Sequence, residues 1–159
     1  MKSTQKQLIT TALITAFASI LMIQPSAASD LKTFELMNSL ISSKQGSIND
    51  IEFGQMLMGT LGDSDDFVLE NGDHFDAYSI TRPQSNKCYQ IKVNSTAFAA
   101  FSSLLHLDKK KFLQTALVYE PLQQVWYAGI LSDSGRHVIT VKATDGNSGN
   151  YTVELIDCS

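Results

Sequence analysis

Glycine and aspartate punctuate this chain at intervals too short for helices of useful length. Gly54 and Gly59 bracket Gln55-Met56-Leu57-Met58, then Asp66, Gly72 and Asp76 follow, and Gly135 and Gly149 return before the last apolar segment. After each break a tyrosine or leucine opens a new apolar face, as in Asp76-Ala77-Tyr78 and Gly149-Asn150-Tyr151-Thr152-Val153. Turn residues of this kind permit tight reversals, and short alternating runs between them read as strands. The spacing therefore confines the chain to a small all-β domain.

The N-terminus reads differently. Lys2 and Lys6 precede an apolar run from Leu8 to Ile23, and Pro25-Ser26-Ala27-Ala28 supplies small residues suited to signal-peptidase cleavage after Ala28. Residues 1–28 are thus expected to be a signal peptide and the mature protein to be secreted or periplasmic. Cleavage would leave 131 of the 159 residues, enough for one domain with a real core. Losing Lys2 and Lys6 would take the formal net charge from −4 to −6. An acidic surface without a Lys/Arg stripe is unsuited to nucleic acid or, once the signal is removed, to a membrane. Lys109-Lys110-Lys111 is the one basic run, and a solvated turn accounts for it.

Cys88 and Cys158 remain after cleavage, and an exported protein pairs such cysteines by default. Strand parity supports the pairing. Tyr89, Ile91 and Val93 share one face and leave Cys88 on the other; Tyr151, Val153 and Leu155 point inward and leave Cys158 outward. If the two strands are antiparallel neighbours, opposed residues keep a constant sum. Gln90 then faces Ile156, Lys92 faces Glu154, Asn94 faces Thr152, Ile91 meets Leu155 and Val93 meets Val153.

Between the signal and the β framework, Leu31, Phe34, Met37 and Ile41 recur at helical spacing, with Asp30 as a cap and Gly46 as a stop. A short amphipathic helix with its linker is expected over 29–46, and the β domain over 47–159. Strands are expected at Ile48–Phe53 and Met56–Leu61 as a first pair, then at Phe75–Ile80, Cys88–Asn94, the second half of Phe98–Leu107, Phe112–Tyr119, Val125–Leu131, His137–Ala143 and the C-terminal segment. Eight or so short strands with turns every few residues point to an antiparallel sandwich or jelly roll.

The order and spacing of several pieces are similar to a known module. The run Ile51, Gly54, Gly59, Leu61, Asp66, Gly72, Asp76, Tyr78, Ile80 resembles the bacterial pre-peptidase C-terminal domain. So do Tyr89, Ile91, Val93, Ser95, Phe98, and the later Ser134-Gly135, Ile139, Val141, Ala143, Gly149, Tyr151 and Val153. The resemblance spans Ile48 to Ile156. It implies a jelly-roll-like β-sandwich without catalysis, of the kind that assists export, localisation or substrate attachment of secreted enzymes, some relatives binding calcium or matrix polymers. His137 stands where that family carries an aromatic residue.

Three constellations bear on chemistry. Asp63, Asp65, Asp66, Asp73 and Asp76 are the one carboxylate cluster, and calcium is the cofactor that such oxygens would accept. The EF-hand pattern fails, with Val68 at its glycine position and His74 at its glutamate position, and turns use aspartate anyway. His74, His106 and His137 fall on different expected elements, with no HExxH or GxSxG signature. Trp126 and Tyr127 are adjacent, so a strand must point one into the core and present the other, with Tyr119 or Phe112 nearby, for stacking on sugar or peptide. The expected function is a non-catalytic binding or accessory module for a secreted protein or a polysaccharide. The alternatives are an inhibitor or chaperone of an exported peptidase, and a small exported hydrolase.

Overall fold

The computed structural model describes residues 46–62, 66–69 and 71–158. The expected signal peptide and N-terminal helix lie outside them. Ten strands build the domain: β1 Ile48–Ile51, β2 Gln55–Leu61, β3 Phe67–Val68, β4 His74–Ile80, β5 Cys88–Ser95, β6 Ala100–His106, β7 Lys111–Leu117, β8 Gln124–Ile130, β9 His137–Ala143 and β10 Gly149–Asp157. They form a six-stranded sheet, ordered β1-β4-β9-β6-β7 with β3 on β4, and a four-stranded sheet ordered β2-β10-β5-β8. Every connection except β3–β4 and β6–β7 passes from one sheet to the other.

The expected architecture needs three corrections. There are ten strands rather than about eight, and the two-residue β3 is too short to leave a periodic signal. The sandwich is not wholly antiparallel, because β1 pairs with β4 in parallel. Nor do β1 and β2 pair with each other. The chain turns a corner between them, where Gln55 N–H donates to Glu52 O at 3.0 Å and Gly54 N–H donates to Leu155 O at 2.7 Å. That corner sends β2 onto β10 of the opposite sheet.

Alternation fills the space between the sheets. Tyr89, Ile91, Val93, Val153 and Leu155 from the four-stranded sheet pack against Tyr78, Leu104, Ile139 and Val141 from the other. The intervening residues of the six-stranded sheet build a second cluster on its far side. There Phe67 stacks on Phe75 with centroids 5.1 Å apart, beside Ala77, Leu105 and Val138. The central strands β4, β9 and β6 of the six-stranded sheet are therefore buried on both faces, and the four-stranded sheet on one.

The pairing inferred from cysteine parity is present in full. Gln90 lies opposite Ile156, Ile91 opposite Leu155, Lys92 opposite Glu154, Val93 opposite Val153 and Asn94 opposite Thr152. Cys88 and Cys158 are joined, with Cα atoms 5.2 Å apart. A one-residue slip of either strand would have turned Lys92 or Glu154 into the core.

Candidate functional site

The solvent face of the four-stranded sheet is built from the residues that alternation leaves over. Its register sets Met56 beside Glu154, Glu154 beside Lys92, and Lys92 beside Trp126. The next row runs Met58, Thr152, Asn94, Gln124. A polar centre thus lies between an edge carrying Met56 and Met58 and an edge carrying Trp126 and Ile130. These apolar side chains are open to solvent, Met58 86 % and Ile130 66 % exposed. At one end Met58, Thr60, Asn94, Thr96, Leu122 and Thr152 line a groove of ≈ 570 Å³. Leu122 overhangs it with φ 69° and 78 % exposure, its N–H donating to Ser95 O at 3.0 Å. The turn at Pro121–Leu122 and the bond to Ser95 O hold the leucine in this left-handed conformation, which presents its side chain to water.

Of the aromatic residues expected at a binding surface, Trp126 is on this face and 43 % exposed. Tyr127 is not. It belongs to the core, 5 % exposed, with its hydroxyl 3.1 Å from Ser102 Oγ, and burial pushes its pKa up. Tyr119 is exposed but lies in the β7–β8 loop, and Phe112 is on β7 of the other sheet, so neither neighbours Trp126 on a strand.

The expected aspartate cluster divides among separate partners. Asp66 is buried; its Oδ2 accepts from Gly62 N–H and lies 3.1 Å from His74 Nδ1. Asp73 is ion-paired with Lys142 and accepts from the Asn71 amide at 2.9 Å. Asp76 faces the interior, where the Tyr151 hydroxyl donates to it, and that hydroxyl is 2.6 Å from Tyr78 OH. Burial and then the Asp76 charge raise the pKa of Tyr151, which keeps this phenol neutral. Among the described residues these three carboxylates do not converge on one point. Asp63 and Asp65 lie outside the described residues.

The structure does assemble one group that sequence reading left scattered. His106 ends β6 and His137 begins β9, and the register places them opposite each other. Their rings are tilted with centroids 4.7 Å apart, and both residues are buried. Asp133 reaches in from the β8–β9 loop, its Oδ1 2.7 Å from His106 Nε2 and accepting from Gly135 N–H at 2.9 Å. Its other oxygen pairs with Lys109. The Lys109 ammonium and Gly135 N–H hold the Asp133 carboxyl well below the usual carboxylate range. Parity with Leu104 and Ile139 could have put both histidines on the inner face; their adjacency required knowing that β6 pairs β9.

This sandwich is a fold that solved structures of other proteins also adopt. It shares the fold of the pre-peptidase C-terminal domain of collagenase from Bacillus anthracis, with a TM-score of 0.55 and 16 % identity over 72 % of this chain and 99 % of that one. The periplasmic inhibitor of g-type lysozyme from Aeromonas hydrophila aligns over 70 % of this chain and 97 % of its own, at a TM-score of 0.45 and 12 % identity. No protein-family profile matches the sequence. No curated protein matches it either.

Proposed function

We propose that this chain is a non-catalytic binding module of the secreted or periplasmic space, whose open sheet face holds an extended segment of another exported protein. The observation that carries the reading is the asymmetry of the sandwich: the central strands of one sheet are buried on both faces, while the other sheet keeps an apolar-edged face in water. Exposed patches of this composition mark interaction surfaces. Methionine walls adapt to side chains of varied shape, which suits a polypeptide, and a single tryptophan is a sparse platform for a sugar chain. The Cys88–Cys158 bridge fits an oxidising compartment. Among the described residues, the His106–Asp133 pair turns its other ring nitrogen to Lys109 N–H at 3.4 Å rather than to a hydroxyl, which supports a role without catalysis.

Capture from the exported protein fraction, run beside a polysaccharide panel, tests the reading. The wild-type protein is expected to retain one or a few proteins. Met58→Asp combined with Trp126→Ala should abolish retention, and Thr115→Asp on β7 should preserve it. Retention by polysaccharide alone, capture indifferent to the Met58/Trp126 change, or turnover of peptidase or glycosidase substrates would each overturn it.

A further inference from the structure

We propose that His106, Asp133 and His137 form a binding site for one divalent transition-metal ion of the zinc class, at the end of the sandwich where the β6–β7 turn meets the β8–β9 loop. One ring nitrogen of each histidine and a carboxylate oxygen of Asp133 lie within 4.8 Å of one another. Two imidazoles and a carboxylate are a donor set for zinc and its neighbours in the transition series, whereas calcium and magnesium take oxygen alone.

The local hydrogen bonds point the same way. His137 Nδ1 lies 2.6 Å from Gly135 O, and a carbonyl only accepts, so this nitrogen carries the proton. Its Nε2 therefore bears a lone pair, and that atom is buried without a hydrogen-bond partner. An imidazole oriented by a backbone carbonyl, with its other nitrogen left as a bare donor, is how a metal-ligating histidine is prepared. Leaving such an atom unpaired inside the protein is otherwise unfavourable. The site is also kept open sterically. A Cβ on Gly135 would lie 2.5 Å from His106 Cε1, 2.8 Å from His106 Nε2 and 3.0 Å from Asp133 Oδ1. On binding, the ion takes the place of the proton between His106 Nε2 and Asp133 Oδ1; that proton moves to His106 Nδ1, which gives up its contact with Lys109 N–H, so the ring stays neutral. Lys109 is the resident cation on Asp133, and its side chain is 57 % exposed, so it can swing away.

Titration of the untagged protein with zinc chloride, followed by calorimetry and by the imidazole resonances in NMR, decides the matter. One zinc ion per chain is expected, with shifts at His106 and His137 and none at His74. Asp133→Asn and Gly135→Ala should weaken binding by roughly ten- to a hundred-fold, the loss expected when a ligand or its support is altered. Both keep the histidines, so a folded variant is available even if His106→Ala is not. Lys109→Ala should tighten binding, since it removes a competing charge. A structural role for the pair would give no zinc stoichiometry and no tightening. Absence of binding at millimolar zinc, or affinity unchanged by Asp133→Asn and Gly135→Ala, would overturn the site.

Discussion

Gly59 shows how closely single residues are fitted here. On β2 its missing side chain faces the sandwich interior, and a Cβ there would stand 2.5 Å from the Tyr151 hydroxyl and 2.6 Å from that of Tyr78. Those two phenols and Asp76 are one buried hydrogen-bonded chain linking the sheets, so neither ring can retreat without breaking a bond. Gly59→Ala should therefore destabilise by about 1–3 kcal/mol, the usual consequence of overfilling a packed interior. Urea denaturation measures it, and an unchanged midpoint would mean that the tyrosines move freely. At this scale the sequence was readable where parity alone decides. The outward Trp126 and inward Tyr127 follow from adjacency, with only the choice between them left open. What Gly59 makes room for was not readable, because Tyr78 and Tyr151 approach it from strands far away in the chain.

Among elements, β5 and β10 were the most legible. The two cysteines, the apolar alternation and the Lys92/Glu154 opposition all demanded the same register, and the structure has it. The first two strands were misjudged as a pair for a physical reason. Proximity in sequence suggests a hairpin, but the corner at Glu52–Gly54 hands β2 to the opposite sheet. The histidine pair was lost in the same way, since strand order, not periodicity, brings His106 to His137. The β5–β10 bridge has a measurable energetic role. Its cysteines are 70 residues apart, and closing a loop of that length restricts the unfolded chain by about 4 kcal/mol in the chain-entropy account. Replacing both with serine should lower unfolding free energy by about that amount and leave the far-ultraviolet circular dichroism of the folded protein unchanged. A loss well under 1 kcal/mol would show that β10 constrains the chain without the bridge.

For the molecule as a whole, the open question is whether the four-stranded face stays in water or is covered. The answer can be read from one residue, because Trp126 is the sole tryptophan of the chain and stands on that face, 43 % exposed, beside Lys92. Its fluorescence therefore reports on the binding surface without a label and without background from the core. A half-solvated indole should be quenched by acrylamide to an extent between that of a buried tryptophan and that of the urea-unfolded chain, independently of protein concentration. A captured partner that occupies the face must exclude the quencher, so quenching should fall and emission shift to the blue when it binds. Protection that grows with protein concentration would instead mean that two copies of the chain cover each other's faces. Quenching as low as that of a buried indole at every dilution would mean that the face is sealed within the chain itself, and a binding role for it would have to be abandoned.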